Sequence, residues 1–378
     1  MPGRIKIAFV VNKLSTGGVQ SLLLSYYRVV DKSRFDIHFV TCETGIGSDA
    51  DAIKAEGGRV IEVGSLSNPV SYVAKCRRLF ETEGYDIVQA CMNSLNVFPL
   101  AAARLAKTPT RISYNLSASH PGENSTIVKT VLRKFGRTFA TNCAANSALS
   151  WDWLFGAPHP GEKRSIIPNS LDVESFRFDP CARKNIRRDL SLGDCYVIGH
   201  IGRYEYQKNH DFLVDVFDAA LRRNRNTRLV LVGYGALKEK VLKKIGDRGL
   251  SPYVTDLGAT KDIAKLYSCF DCFVLPSFYE GMPVVGLEAQ AASCPCVFSD
   301  EVTEETRASD RALFLSLDAS PDEWAKAVLG FEGISRLDSE ERREVDKFDA
   351  AALGYRLEKY YEQLVQASVS GRTNEIVF

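Results

Sequence analysis

The sequence predicts an α/β protein with two doubly wound parallel sheets, one in each half of the chain. Short apolar, β-branched runs alternate with amphipathic stretches from end to end, which is typical of strand, crossover helix, strand units. The alternation stops once, at 167–180, where turn-forming residues show no sustained period. The chain of 378 residues also exceeds the length that one hydrophobic core usually serves.

Six runs predict the strands of the first sheet, and each is followed by a segment long enough for a crossover helix. They are 5–11, 35–40, 59–63, 85–90, 110–114 and 164–168. The second half repeats the pattern with six more predicted strands. These are 196–201, 228–232, 253–257, 271–276, 294–299 and 312–317. Strands and helices in this order give parallel sheets with right-handed crossovers.

The irregular stretch 167–180 predicts a linker between two domains. We therefore predict one Rossmann-like domain over 1–180 and a second over 181–349, facing each other across a cleft. Helical spacing in 350–378 predicts a helix that could cross back to the first domain, followed by a frayed tail. In open α/β sheets ligands bind outside the carboxyl ends of the strands, near helix N-termini.

The composition excludes several classes of protein. Hydrophobic residues make up 45% of the chain and charged residues 25%, which is typical of soluble globular proteins. The net charge of +1 gives no reason to expect nucleic acid as a partner. The ten cysteines never form paired CxxC units, so we predict reduced thiols and no metal site. The apolar runs are too short for a secretory signal or a spanning helix, which predicts a cytoplasmic or peripheral protein.

Two glutamates stand in the otherwise small and apolar segment 276–293. Glu280 follows a predicted strand, and Glu288 lies roughly one and a half turns into the next predicted helix. Pro283 suits the first turn of that helix because its missing N–H costs nothing there. Carboxylates in this position could accept hydrogen bonds from sugar hydroxyls. A chance pair of structural glutamates is the other interpretation.

The start of the same predicted helix offers backbone N–H groups to a phosphate. The residues that supply them are Gly281, Met282, Val284 and Val285. An acid pair beside an anion pocket suits a phosphorylated ligand that is rich in hydroxyl groups.

A second candidate site follows the predicted strand 196–201, where Arg203 and Lys208 could clamp a diphosphate. Exposed basic residues are common, so a solvated surface is the alternative. A third candidate is the pair Gly17 and Gly18, which opens the first predicted helix and would let backbone approach a phosphate. The pair does not form the GxGxxG pattern, so a dinucleotide site is poorly supported. The GxG at 233–235 is equally weak by itself.

Together these segments resemble the retaining nucleotide-sugar glycosyltransferases of glycosyltransferase family four, which have the GT-B fold. Within that family the bacterial capsule and exopolysaccharide transferases are the most similar. The resemblance covers roughly 5–365 and is strongest in the second half. It rests on "TGGVQ" at 16–20, Arg203 with "QKN" at 207–209, "LVGYG" at 231–235 and the long segment 256–297.

The resemblance implies a donor, UDP- or GDP-linked, on the C-terminal domain, an acceptor on the N-terminal domain, and no metal or other cofactor. It implies that Arg203 and Lys208 hold the diphosphate, that Glu280 faces the donor sugar's hydroxyls, and that Glu288 holds the nucleotide ribose. The amides after Glu280 would cup the sugar and the distal phosphate. Gly18 would lie against the diphosphate from the opposite domain.

The chain departs from the family at one point. Relatives of the capsule type usually have histidines after two strands of the first domain, where this chain has Gln89, Cys91, Tyr114 and Leu116. The nearby His120 could replace the missing imidazole as a catalytic residue, or it could be a loop histidine. Without a replacement, donor binding could survive while transfer is weak or lost.

The segment 124–140 predicts an amphipathic basic helix. Such a helix could rest on an anionic membrane that holds lipid-linked acceptors, or it could simply pack on the core. The apolar residues are Ile127, Val128, Val131, Leu132, Phe135 and Phe139, and the basic residues are Lys129, Arg133, Lys134 and Arg137.

The sequence therefore predicts a retaining, metal-independent glycosyltransferase of the hexosyltransferase type. Its acceptor would be a hydroxyl of a saccharide or a lipid-linked saccharide, in the synthesis of capsule, exopolysaccharide or another surface glycan. Two alternatives stay open. One is a nucleotide-sugar epimerase of the same architecture, and the other is a nucleotide-sugar-binding subunit that cannot catalyse.

Overall fold

A computed structural model describes residues 3–14, 18–44, 49–116, 126–260, 262–336, 341–370 and 376–378. The chain separates into two compact units, one formed by Met1–Ser170 with Ala350–Phe378 and the other by Leu171–Asp349. The first division point, between Ser170 and Leu171, lies inside the predicted linker 167–180 and before the boundary predicted at 180.

The first unit contains a parallel sheet with the strand order β3-β2-β1-β4-β5-β6. Its strands are β1 (Ile5–Leu14), β2 (Phe35–Thr44), β3 (Arg59–Glu62), β4 (Ile87–Ala90), β5 (Thr110–Asn115) and β6 (Asn142–Ala145). The helices between them are α1 (Gly18–Val29), α2 (Asp49–Ala55), α3 (Pro69–Glu83), α4 (Val97–Leu105), α5 (Thr126–Arg133) and α6 (Ala148–Phe155). This is the order of a doubly wound dinucleotide-binding sheet.

The second unit repeats the topology, with the strand order β12-β11-β10-β7-β8-β9. Its strands are β7 (Tyr196–Ile201), β8 (Thr227–Val232), β9 (Val254–Asp256), β10 (Cys272–Leu275), β11 (Cys296–Ser299) and β12 (Ala312–Leu315). Its helices are α7 (Pro180–Asp189), α8 (His210–Arg223), α9 (Lys238–Asp247), α10 (Ile263–Leu266), α11 (Val284–Ala291) and α12 (Pro321–Leu329). Every residue of β7, β10 and β11 is buried, as expected for parallel strands covered on both faces. The predicted fold class is confirmed for both units.

The last helix, α13 (Ala350–Ser370), belongs to the first unit. Its Leu357, Tyr361 and Leu364 lie in the core of that unit. The prediction of a frayed tail is wrong for the described end of the chain. The Phe378 ring lies 5.8 Å from that of Tyr360, and the Phe378 N–H donates to Ser165 Oγ at 3.1 Å. Within the described ranges, no helix has both the length and the apolar character that crossing a bilayer requires.

The predicted strand 164–168 is wrong. Ile166 forms only an isolated bridge with Ala145, and the sixth strand is Asn142–Ala145. Backbone pairing to β5 holds this strand, with Tyr114 opposite Ala144. Its residues are small and lack β-branching, so the sequence carries no strand signal there.

The predicted basic helix is shorter than 124–140, because α5 ends at Arg133. Gly136 then turns the chain, with its N–H donating to the Arg133 carbonyl at 2.9 Å. A Cβ at Gly136 would lie 3.1 Å from the Leu154 side chain, so the chain packs closely there.

Candidate active site

The neighbouring strands β7 and β10 form the topological switch point of the second sheet. They pair over only two rungs, Cys272 with Ile198 and Phe273 with Gly199. The chain leaves β7 toward β8 on one side and leaves β10 toward β11 on the other. Ligands of doubly wound sheets bind at such a point, beyond the carboxyl ends of the strands. Three predicted site residues follow these two strands, namely Arg203, Lys208 and Glu280.

The loop after β7 is supported by the loop after β8. Gly233 has φ 149, and a Cβ there would lie 2.0 Å from the Gly202 carbonyl oxygen. The Tyr204 N–H donates to the Tyr234 carbonyl at 2.8 Å, next to Arg203. The GxG at 233–235 therefore allows two loops to pack backbone against backbone.

Lys208 and Glu280 form a nearly buried ion pair. Lys208 Nζ lies 2.6 Å from Glu280 Oε1, and only 13% and 8% of the two side chains are exposed. Oε1 also accepts a hydrogen bond from Ser277 Oγ at 3.0 Å, and Oε2 accepts one from Gln207 Nε2 at 3.1 Å. The carboxylate is therefore fixed by one cation and two neutral donors.

Glu288 lies in α11, and the charge of Lys208 acts on its carboxyl group. Its Oε2 accepts a hydrogen bond from the Tyr267 hydroxyl at 2.6 Å. Burial raises the pKa of Glu288 to about 7, although the Tyr267 hydroxyl and the Lys208 charge both act to lower it. Near neutral pH this carboxyl group therefore exists in both protonation states, unlike an ordinary surface glutamate.

The start of α11 offers backbone N–H groups. Pro283 occupies the cap position rather than the first helical turn, which corrects the prediction by one residue. The N–H groups of Gly281, Val284 and Val285 have no acceptor among the described residues. These groups and the positive end of the helix dipole favour an anion.

Met282 has a packing role. Only 5% of it is exposed, and its side chain lies in an apolar cluster with Leu171, Leu287 and Phe348. Any contact of Met282 with a ligand would therefore use its backbone.

Arg203 is exposed and follows β7 directly. It forms no ion pair or side-chain hydrogen bond with the parts of the chain that the structure describes. In the structure, Lys208 is therefore paired with Glu280, and its charge also acts on Glu288. The guanidinium of Arg203 is exposed to solvent.

Two predicted site residues are not placed. Gly17 and His120 lie outside the described residues, and Gly18 is the first residue of α1. Their predicted roles stay predictions.

The positions where the resemblance led us to expect histidines are core positions here. Gln89 is fully buried, and its Oε1 accepts a hydrogen bond from the Tyr361 hydroxyl of α13 at 2.8 Å. The Tyr114 hydroxyl donates to the Ile167 carbonyl at 2.8 Å. Burial raises the pKa of the Cys91 thiol to about 12, so this cysteine is not a nucleophile. Leu116 is half-buried against the same core.

Two buried histidines lie beneath the loop that carries Lys208. His200 Nδ1 lies 2.8 Å from the Val274 carbonyl, and the His200 and His210 rings are 4.6 Å apart. Burial lowers the pKa of His200 to about 4 and that of His210 to about 2. Both imidazoles are therefore neutral at physiological pH. No sequence pattern indicated that they would meet.

The two sheets and the site at the second switch point define an α/β protein of the GT-B class. A family model described as "Glycosyl transferases group 1" matches residues 195–331. The chain is 30% identical over 359 residues to EpsF of Bacillus subtilis (strain 168), which its name assigns to the glycosyltransferases. The match covers 93% of this chain and 92% of EpsF. The chain therefore belongs to the group 1 glycosyltransferases, and the predicted family is confirmed.

A further relative and a solved structure are also similar to this chain. The chain is 28% identical over 319 residues to the UDP-Gal:alpha-D-GlcNAc-diphosphoundecaprenol alpha-1,3-galactosyltransferase of Escherichia coli, covering 79% of this chain and 80% of that protein. A crystal structure of Anabaena HepE with UDP and glucose superposes with a TM-score of 0.82 at 19% identity. It covers 96% of this chain and all of HepE, which shows the shared GT-B fold.

Proposed function

We propose that this glycosyltransferase moves a sugar from a UDP- or GDP-linked donor to an acceptor hydroxyl, with retention and without a metal ion. The observation that carries the proposal is the Lys208–Glu280 pair at the switch point, 2.6 Å between Nζ and Oε1. A cation, a carboxylate and the open start of α11 combine the chemistry that a sugar diphosphate needs.

In the proposed reaction, the anomeric carbon exchanges its bond to the diphosphate oxygen for a bond to the acceptor oxygen. The acceptor proton leaves with the diphosphate. Negative charge grows on the distal phosphate as the sugar bond breaks. Arg203, Lys208 and the N–H groups at the start of α11 are positive groups that stabilise this charge.

The two acids are proposed to bind the neutral parts of the donor. Glu280 accepts hydrogen bonds from the sugar's hydroxyls, and Glu288 accepts hydrogen bonds from the ribose. Ionised Glu288 is the better acceptor, and its pKa of about 7 means that this form is only partly populated at neutral pH.

The proposed acceptor is a saccharide or a lipid-linked saccharide, and the proposed pathway is the synthesis of exopolysaccharide, capsule or another surface glycan. The name of the Escherichia coli relative supports this, since it acts on a saccharide linked to diphosphoundecaprenol. A Campylobacter jejuni relative, 28% identical over 139 residues, is also named for a diphospho-undecaprenol-linked acceptor.

We further propose that the protein is cytoplasmic and contacts the inner face of an anionic membrane through the end of α5 and the turn that follows it. Val131 and Phe135 are 53% and 47% exposed, beside the exposed basic residues Arg133 and Lys134. Exposed apolar side chains next to cations suit a surface of anionic lipid. Arg137 does not contribute, because it is paired to Glu162 at 2.6 Å.

Product analysis tests the proposal. The protein is incubated in chelator with UDP-galactose, UDP-glucose or GDP-mannose and with N-acetylglucosamine-diphosphoundecaprenol as the acceptor. We expect release of the nucleoside diphosphate and an α-linked product by proton NMR. A β-linked product, or activity that needs added divalent metal, contradicts retention or metal independence. An epimerised donor formed without acceptor would support the epimerase instead.

A donor-binding protein without transferase activity is a second candidate. One observation favours it, namely that Gln89 and Tyr114 are buried and engaged with Tyr361 and the Ile167 carbonyl. Neither can replace an imidazole at the surface of the first unit. Tight nucleotide binding with neither hydrolysis nor transfer would identify this candidate.

A further inference from the structure

We propose that Gln207 is a positioning residue for the transfer reaction, and that its amide keeps the Glu280 carboxylate in place when Lys208 turns to the donor diphosphate. The inference rests on the proposed function and concerns the same site. Gln207 lies between Arg203 and Lys208 in the chain, and its side chain contacts Glu280.

The segments 206–208 and 278–280 lie side by side and are joined residue by residue. The rings of Tyr206 and Phe278 stack with their centroids 4.6 Å apart and their planes at 18°. The Phe278 N–H donates to the Gln207 carbonyl at 2.8 Å, and Lys208 pairs with Glu280. Gln207 therefore lies between an aromatic stack on one side and an ion pair on the other.

Both hydrogens of the Gln207 amide have acceptors. Nε2 donates to the Tyr279 carbonyl at 3.0 Å and to Glu280 Oε2 at 3.1 Å. Both partners are acceptors only, so the nitrogen must face them and the orientation of the amide is determined. The backbone carbonyl of Tyr279 thus holds the amide while the amide holds the carboxylate.

The Glu280 carboxylate needs this support because Lys208 has two roles in the proposed reaction. In the structure its ammonium contacts Glu280 Oε1 at 2.6 Å, yet the proposed reaction uses the same ammonium to stabilise the leaving diphosphate. When Lys208 moves to a phosphate oxygen, Ser277 still donates to Oε1 and Gln207 still donates to Oε2. A neutral amide fixes the carboxylate without adding positive charge that would compete for the diphosphate. The second lone pair of Oε2 stays available for a sugar hydroxyl.

Two variants distinguish a positioning role of Gln207 from a purely structural role. Gln207→Leu removes the amide but keeps the volume, and Gln207→Glu keeps the shape but places a second carboxylate beside Glu280. UDP and GDP lack the sugar, so their affinities should change by less than about twofold in Gln207→Leu, while kcat for hydrolysis or transfer of the matching nucleotide sugar falls about tenfold to hundredfold.

Gln207→Glu adds a pH signature that a purely structural role would not produce. Two carboxylates in contact take up a shared proton as the pH falls, and that proton restores the lost hydrogen bond. We expect the activity of this variant, relative to wild type, to rise at least threefold between about pH 8.5 and about pH 6. The exposed Gln363 of α13 provides the control. Gln363→Glu adds the same charge and should leave the profile unchanged.

The measurements are nucleotide affinity by calorimetry, kcat with UDP-galactose, UDP-glucose and GDP-mannose, and thermal melting of every variant. A wild-type protein that binds no nucleotide and turns over no donor contradicts the proposed function, and the role of Gln207 with it. An active wild type whose Gln207→Leu variant matches it in kcat contradicts the role of Gln207 alone. Equal losses of nucleotide affinity and kcat at every pH would also contradict positioning. Should Gln207→Leu fail to fold, the pH profile of Gln207→Glu decides.

Discussion

Lys208 donates to Glu280 across 2.6 Å, and 13% or less of either side chain is exposed. The ammonium neutralises the carboxylate, so a diphosphate that binds at this site competes with Glu280 for the same cation. The pair thus connects the stability of the second unit to the chemistry proposed for it. Its two functions can be separated by mutation.

Replacing Lys208 should reduce both stability and activity. Lys208→Ala leaves a nearly buried carboxylate without its cation, which costs about 3–5 kcal/mol of unfolding free energy. It also removes a charge-assisted contact of about 2–4 kcal/mol to the diphosphate, so kcat/KM should fall roughly thirty- to a thousandfold. Urea unfolding and steady-state kinetics measure the two effects.

The double variant Lys208→Met with Glu280→Gln serves as the control for this pair. It removes both charges and should recover most of the stability without recovering activity. Near-normal turnover in a folded Lys208→Ala protein would remove Lys208 from the proposed site.

Replacing Arg203 should reduce activity alone. The guanidinium is exposed and has no partner within the described ranges, so Arg203→Ala should change stability by less than about 0.5 kcal/mol. The loss of kcat/KM should again be roughly thirty- to a thousandfold. Arg222 is a matched exposed arginine, paired with Asp218 on α8. Arg222→Ala should retain full activity, and equal activities of the two variants would contradict the role of Arg203.

Glu288 predicts a pH dependence of nucleotide binding. Its pKa of about 7 means that the carboxylate population rises as the pH passes through 7, so the affinity for UDP or GDP should rise between about pH 6 and pH 8. Tyr267→Phe removes a hydrogen bond to the carboxylate and should move the rise to higher pH. Glu288→Gln provides the baseline, because it removes this rise and leaves only the titration of the nucleotide. A wild-type profile parallel to that of Glu288→Gln would contradict the prediction.

Glu288 also influences stability, and the direction follows from linkage. Its folded-state pKa lies above the ordinary glutamate value of 4.5, so the folded protein binds more protons than the unfolded chain between pH 4.5 and about 7. Its contribution is therefore fully present below about pH 4.5 and is lost as the pH rises toward 7. Glu288→Gln should remove this loss.

The buried histidines His200 and His210 have the opposite effect on how stability depends on pH. The folded-state pKa of His210 is about 2 and that of His200 about 4, both below the ordinary histidine value of 6.5. The unfolded chain takes up protons first, so stability falls as the pH drops from 6.5 toward 4. His210→Phe keeps the stack on Tyr204 and removes one titrating group. Unfolding free energies at about pH 7.5 and pH 5 should differ less in this variant than in wild type. An unchanged difference would contradict this explanation of acid sensitivity.

The proposed membrane contact predicts charge-dependent binding to lipid. Arg133→Ser with Lys134→Ser removes two exposed cations worth about 1 kcal/mol each, so binding to phosphatidylglycerol vesicles should weaken about thirtyfold. Phosphatidylcholine vesicles should bind neither protein. Sedimentation gives the partition coefficients. The control is the double variant Arg222→Ser with Arg223→Ser. Equal partitioning of wild type and the α5 variant would leave the membrane proposal without support.

The sequence predicted most of the fold, because buried parallel strands such as β7 and β10 are continuous apolar runs with a clear period. It missed β6, where Asn142–Ala145 are small and backbone pairing to β5 determines the strand. It also extended the basic helix beyond Arg133, because hydrophobic spacing continues through the turn at Gly136.

The candidate site was only partly predictable. Arg203, Lys208, Glu280 and Glu288 lie in motifs that are visible in the sequence. The side-chain contacts of these residues are not visible there, since the contact of Gln207 with Glu280 and that of Tyr267 with Glu288 depend on segments that meet only after folding. The raised pKa of Glu288 likewise arises from burial, which a sequence does not display.

The central claim is that a nucleoside diphosphate is held by Arg203 and Lys208 in the second unit. Thermal unfolding of wild type, Arg203→Ala and Lys208→Ala with and without UDP and GDP tests it most directly. One of the nucleotides should stabilise wild type, by about 2.7 kcal/mol at a hundred times its Kd, and should stabilise each variant far less at the same concentration. Equal stabilisation of all three proteins, or no response of wild type to either nucleotide, would contradict the claim.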